Sequence, residues 1–223
     1  MNKELSKRII TSIFLLILLG LAFTYTYILI ISLILISLIT WIEFNGLLSK
    51  IFIKKIQKAN LLNFSFKLIS LAYLTFFSIL VFQETIKTDN IINIIYIFSI
   101  CICSDIGGLI FGKIFKGKKL TKISPNKTIS GSVGSFALSL LLVPLFHFIS
   151  ESFNFISNYF NLTILALTVS FICQLGDLFI SYLKRKANVK DTGDLLPGHG
   201  GILDRIDGIL FAVPIGFIVF RIL

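Results

Sequence analysis

Between Leu162 and Phe220 the chain reads LTILALTVSFICQLGDLFISYLKRKANVKDTGDLLPGHGGILDRIDGILFAVPIGFIVF, a polar block held between two apolar runs. The block, Ser181–Asp207, carries five basic side chains, four carboxylates, four glycines and His199, one of only two histidines in the protein. Charge this dense beside membrane-like segments is expensive to fold unless it binds something charged. The block is therefore expected to handle phosphate and metal.

The rest of the chain explains its flanks. Hydrophobic residues make up 56% of the sequence, and the mean hydropathy is +0.94. Apolar runs of about 15–20 residues recur from end to end, as membrane-crossing helices require. Candidate spans are Ile9–Phe23, Tyr27–Ile42, Phe66–Phe82, Ile91–Ser104, Ser130–Ile149, Leu162–Ile180 and Gly208–Phe220. The fourth is short and is a candidate to run on through Gly107 and Gly108 to Phe111, and Ile51–Phe64 is a candidate for a further short or interfacial helix. None of the runs shows the two-residue alternation of a membrane barrel. The expected fold is all-α: a polytopic bundle of about seven helices forming a single membrane-embedded domain over 1–223, with its signature region at 174–208. The first run follows Lys3, Lys7 and Arg8 like a signal peptide. No small-residue cleavage site follows it, so it is expected to remain as a helix. Cys101, Cys103 and Cys173 lie in apolar segments without metal-ligand spacing and are expected to be inert.

The net charge of +10 raises the question of nucleic acid. Placing the N-terminus in the cytoplasm and letting each span cross once leaves only Lys87 and Arg221, of 21 Lys and Arg, on the far side. Loop charge of this kind sets topology, so no nucleic acid is needed to account for it. The block 181–207 then faces the cytoplasm.

Several acids sit in or beside apolar helices, where an ionised carboxylate is costly and is by default a functional candidate. Asp177 is one. Asp204 and Asp207 are spaced i, i+3 at the start of the last span and share a face if helical. Gly176 and Gly208 beside them permit close backbone approach. Three carboxylates from two helices make an oxygen-rich set suited to Mg²⁺. Ser181, Lys184 and Arg185 share a helix face just below Asp177, and Lys190 follows. The loop Leu195–Gly201 is stiffened by Pro197 and opened by Gly198, Gly200 and Gly201, leaving N–H groups to line a phosphate. His199 within it has three readings: phosphate donor, general acid or helix cap. A second polar block, 104–134, holds Asp105 at an expected helix end, then a basic loop with Ser124, Lys127 and Thr128. It lacks the G-x-x-x-x-G-K-[ST] pattern, yet a Ser-, Thr- and Lys-rich loop leading into a helix can hold phosphates. Glu43, after Trp41 at the end of the second span, either joins the site or only ends the helix.

These parts resemble the phosphatidate cytidylyltransferases, the CDP-diacylglycerol synthases. The matching elements are Ser181-x-x-Lys184-Arg185, Lys190-Asp191, Pro197-Gly198-His199-Gly200-Gly201 and Asp204-Arg205-x-Asp207. Upstream the match takes in Gly176-Asp177, Asp105-x-Gly107-Gly108, Phe111-Gly112-Lys113, Lys119-Leu120, Ser124-Pro125-x-Lys127-Thr128-x-x-Gly131 and Trp41-x-Glu43. The resemblance implies transfer of CMP from CTP to phosphatidate, giving CDP-diacylglycerol and pyrophosphate. It implies that Mg²⁺, with a second, monovalent cation such as K⁺, is held by Asp177, Asp204 and Asp207. Lys184, Arg185, Lys190 and Arg205 would neutralise phosphates, with Asp191 beside them. His199, Gly200 and Gly201 would position pyrophosphate, Ser124, Lys127 and Thr128 would close over the nucleotide, and Asp105 would also bind substrate. A homodimer is likewise implied, and the expected location is the cell inner (plasma) membrane, with the site facing the cytoplasm as the loop charge places it.

Two other functions remain in view. A CTP-dependent lipid-alcohol kinase would transfer the γ-phosphoryl group instead. An ion-coupled transporter would carry its acids near the bilayer midplane and show a repeat, and neither is seen. The D-G-x-x-A-R pattern of CDP-alcohol phosphotransferases is absent. If His199 belongs to the chemistry, His199→Ala lowers turnover per folded molecule. A variant that changes only protein level returns the residue to a capping role.

Overall fold

A computed structural model describes residues 3–52, 58–87, 91–153, 158–195 and 200–223. Its described elements are seven helices: α1 (Lys3–Thr24), α2 (Thr26–Phe52), α3 (Lys58–Ile86), α4 (Ile91–Phe115), α5 (Ile129–Phe153), α6 (Tyr159–Lys186) and α7 (Leu203–Ile222). Each expected span lies inside one of them. The separate helix at Ile51–Phe64 does not exist among the described residues: Ile51 and Phe52 close α2, while 58–64 open α3. Five helices, α2 to α6, contain stretches long and apolar enough to cross a bilayer, and the chain is a polytopic helical membrane protein. Two helices fall outside that set, although the sequence counts them as spans. Over α1 only the shorter apolar stretch Ile13–Thr24 stands out. In α7, Asp204, Arg205 and Asp207 near the start and Arg221 near the end interrupt the apolar run.

The chain packs as two compact units. One comprises 1–86 and 183–206. Within it α2 packs against α1 and α3. Leu29, Leu47 and Leu48 of α2 and Leu74, Phe77 and Val81 of α3 are buried. Polar ties fix the register of α2 on α3. The Ser37 and Ser78 hydroxyls lie 2.6 Å apart, and the Trp41 indole N–H donates to the Lys67 carbonyl at 3.1 Å. In lipid such bonds replace the missing hydrophobic drive between helices.

The other unit comprises 87–182 and 207–223. Here α4 takes the continuation through Gly107 and Gly108 and runs unbroken to Phe115, so Asp105 lies within the helix and not at its end. The reason is the glycines. A Cβ at Gly107 would land on the Gly134 carbonyl of α5, and one at Gly131 would meet the Gly108 carbonyl at 2.8 Å. The pairs 107/108 and 131/134 thus let the two backbones touch, in the small-residue manner of membrane helices. Ser135 Oγ reinforces that contact by donating to the Ser104 carbonyl at 2.6 Å, and the Ser104 and Ser170 hydroxyls, 3.0 Å apart, tie α4 to α6. The same device joins α6 to α7. A Cβ at Gly176 would meet the Asp207 carbonyl at 2.8 Å, and one at Gly208 would meet Cys173 Sγ at 2.5 Å. Cys101 and Cys173 are buried, Cys103 is half-buried, and all three are free thiols.

Overpacking a filled contact costs about 1–3 kcal/mol, whereas Ala in open helix is favoured over Gly by about 1 kcal/mol. Gly107→Ala is therefore expected to lower the melting temperature of the purified protein. Gly46→Ala, with nothing within 4 Å of the added methyl, should leave it level or raise it.

Candidate active site

The polar block begins on the last turns of α6. Asn188 ends that helix in a left-handed conformation (φ 54°). Its N–H bonds the Arg185 carbonyl at 3.1 Å, and the Val189 N–H bonds that of Lys184 at 3.0 Å. This is the double bond pattern of a Schellman stop with Asn in place of Gly. Ser181, Lys184 and Arg185 are therefore helical, as their spacing requires, while Lys190 and Asp191 follow in the exposed loop.

Within the first unit the block folds around Asp204, in the first turn of α7. Its Oδ1 takes the Lys184 ammonium at 2.7 Å. Its Oδ2 accepts the N–H groups of Thr192 at 2.8 Å and Gly201 at 3.1 Å, and Thr192 Oγ1 lies 3.0 Å away. The Asp204 side chain is only 5% exposed, which unpaired would be costly. Burial pushes its carboxyl up, but the ammonium and the two amides outweigh burial and hold it below the ordinary carboxylate range. A lowered folded-state pKa means that these contacts contribute in full above the ordinary range. Their contribution fades as pH falls through the lowered value. Gly200 adopts φ +81°, and a Cβ there would meet Asp204 Oδ2 at 3.0 Å and the Asp191 side chain at 3.4 Å. Gly200 is thus glycine for both conformation and space. Gly201's N–H is engaged with Asp204. Leu196, Pro197, Gly198 and His199 lie outside the described residues, so the reading of His199 is not addressed by the geometry.

Glu43, left open by the sequence, joins this group. It is 8% exposed on α2. Its Oε1 accepts the Ile202 N–H at 3.0 Å, and its Oε2 accepts the Leu203 N–H at 2.8 Å and the Thr192 hydroxyl at 2.8 Å. It sits where the start of α7 offers unpaired donors and partial positive charge. Thr192 carried no signal in the sequence. Glu43 carried one, an acid within an apolar helix, which did not say what it meets.

In the second unit the basic loop between α4 and α5 is a small self-braced hairpin. Lys119 and Thr128 form an antiparallel bridge, the Leu120 N–H bonds the Lys127 carbonyl at 2.8 Å, and the Ile129 N–H bonds the Lys118 carbonyl at 3.0 Å. Thr128 caps α5, its hydroxyl accepting the Gly131 N–H at 3.1 Å. Ser124 turns the hairpin, its carbonyl accepting the Lys127 N–H at 3.1 Å. Lys127 leaves this frame to form an ion pair with Asp177 of α6, and Asp177 Oδ1 also accepts the Ser181 hydroxyl at 3.3 Å. Asp207 is buried, and its Oδ1 accepts the Gly208 N–H at 2.8 Å. Asp105 takes a long contact from Cys173 Sγ at 3.9 Å. Arg185, Lys190 and Arg205 are exposed.

The three proposed metal ligands thus all offer hard oxygens, and two of them, Asp177 and Asp204, already hold a cation in the form of a lysine ammonium. That donor chemistry fits Mg²⁺. Among the described residues no three His, Cys, Asp or Glu side chains form a ready-made cage.

Apolar helices that carry lysine–aspartate pairs define a polytopic membrane protein with a charged site. The sequence profile of the cytidylyltransferase family matches residues 1–223, and the chain belongs to that family. The chain is 42% identical over 147 residues to the phosphatidate cytidylyltransferase of Rickettsia typhi, covering 63% of each. It is 43% identical over 149 residues to that of Rickettsia felis, covering 64% of each. With that of Staphylococcus aureus (strain COL) it shares 42% over 152 residues, 68% of this chain and 56% of the relative. The chain thus spans a little under two thirds of the length of the curated relatives first matched.

Lys184→Met leaves Asp204 without its ammonium and should cost about 1–3 kcal/mol of stability. Arg185→Met, at an exposed position, should stay within about 0.5 kcal/mol. Thermal melting of the two variants side by side checks the difference.

Proposed function

We propose that the chain transfers CMP from CTP to phosphatidate, releasing pyrophosphate and forming CDP-diacylglycerol. The observation that carries the reading is the pairing of Lys184 with Asp204 and of Lys127 with Asp177, at signature positions of a chain matched by the cytidylyltransferase profile throughout. The names of its relatives supply the nucleotide and the lipid.

The chemistry asks little of a general base. The phosphate of phosphatidate is already an oxyanion, so attack on the α-phosphorus of CTP needs orientation and charge neutralisation. Lys184, Arg185, Lys190 and Arg205 would meet the repelling phosphates, and Lys127, braced by its hairpin with Ser124 and Thr128, would do so from the nucleotide side. Asp177, Asp204 and Asp207 would hold Mg²⁺, with K⁺ as the partner cation. When bound, the divalent ion supplies charge stabilisation at the phosphoryl oxygens. Asp191, Gly200 and Gly201 would shape the phosphate loop with His199, and Asp105 would lie on the nucleotide side. The acyl chains would stay among the lipids, against the exposed apolar faces of the helices.

In this reading residues 1–223 act as one catalytic domain in the inner membrane, N-terminus and site towards the cytoplasm, as a homodimer. The lysine distribution supports that orientation.

CTP labelled with ³²P at the α position should mark the lipid product; a kinase would instead transfer the γ label. Asp177→Asn and Asp204→Asn should each lower turnover by about 10-fold or more, and near-normal turnover in either would remove that residue from the metal set.

A further inference from the structure

We infer that Glu43 of α2 is a positioning residue for the site, acting on Asp204 through the Thr192 hydroxyl while closing the start of α7. The inference rests on the cytidylyltransferase reading above. Glu43 lies among the apolar residues of a helix long enough to cross a bilayer, and an acid in such a place needs a reason. Its two oxygens accept three donors from two separated points of the polar block, Thr192 on one side and Ile202 with Leu203 on the other. The backbone is built to fit it. A Cβ at Gly193 would meet Glu43 Oε1 at 2.8 Å, and a Cβ at Gly201 would fall on Oε2 and the Thr192 hydroxyl. A carboxylate used only to end a helix would need neither glycine.

Thr192 makes the link to the chemistry. Its hydroxyl has one proton and two carboxylate neighbours, Glu43 Oε2 at 2.8 Å and Asp204 Oδ2 at 3.0 Å. Asp204 Oδ2 already receives the Thr192 and Gly201 N–H groups, so the hydroxyl proton is needed at Glu43. Donating there locks the Thr192 side chain, which in turn holds the Thr192 N–H on Asp204. Glu43 therefore sets the orientation of Asp204 without touching substrate. A second consequence concerns the substrate. The start of α7 is a natural anion site, but its Ile202 and Leu203 donors are given to Glu43. The incoming phosphates are left to the basic side chains.

The test uses the full chain, purified and assayed with CTP and phosphatidate in mixed micelles. Thr192→Val keeps shape and backbone N–H but loses the hydroxyl, whereas Thr192→Ser keeps it. The expected result is a kcat about 10-fold lower for T192V, with KM for CTP unchanged and T192S close to the wild type. Glu43→Gln should also lower kcat and should speed hydrogen–deuterium exchange at the Ile202 and Leu203 amides. Equal kcat for T192V and T192S, or unchanged exchange in E43Q, overturns the inference, and the serine–valine pair decides it if E43Q does not fold. A wild-type chain with no CTP turnover would sink the cytidylyltransferase reading instead. The amide exchange would then judge Glu43 alone: faster exchange in E43Q keeps the clamp, and unchanged exchange removes it.

Discussion

Asp204 holds Lys184 on one oxygen and the Thr192 and Gly201 amides on the other, and the polar block of the first unit depends on that carboxylate. It joins the end of α6, the loop after it and the first turn of α7. In a chain so rich in hydrocarbon, this polar block has few apolar groups of its own to bury. The charge must be compensated on the spot, and each compensating donor fixes one more piece of backbone. Fold and site are here the same set of bonds.

The same economy governs the helices. They meet where glycine or serine removes the side chain that would keep backbones apart, as at Gly107 against Gly134 and Gly176 against Gly208. Larger apolar residues on the outer faces of the helices, such as Ile31, Leu109 and Phe148, remain exposed. In water this would be a liability. For a polytopic membrane protein it is the surface that lipid covers.

Much of this was legible from residue order. The seven apolar runs became seven helices because run length and the absence of alternation leave a membrane chain no other way to satisfy its backbone. The spacing Asp204–Asp207 fell in a helix, and lysines and aspartates singled out by position form an ion pair in each unit. The boundaries were less legible. α4 ran on through Gly107 and Gly108, as the sequence allowed, but four residues further than Phe111, and its glycines became contact points where α5 lies on them. The phosphate loop was read as offering free amides, yet Gly201 spends its amide on Asp204. That choice depends on a side chain three residues later and on the fold of the turn.

By itself, then, the sequence determined the class of protein, the helical architecture, the charged block and the residue types suited to phosphate. These follow from composition, period and local spacing, which are properties of neighbours along the chain. Only the tertiary structure decided which carboxylates meet which donors: that Lys184 belongs to Asp204, that Lys127 belongs to Asp177, and that Glu43, about 150 residues upstream, closes the start of α7. Such pairings join segments distant in sequence, and a buried charge takes the donor that packing brings to it.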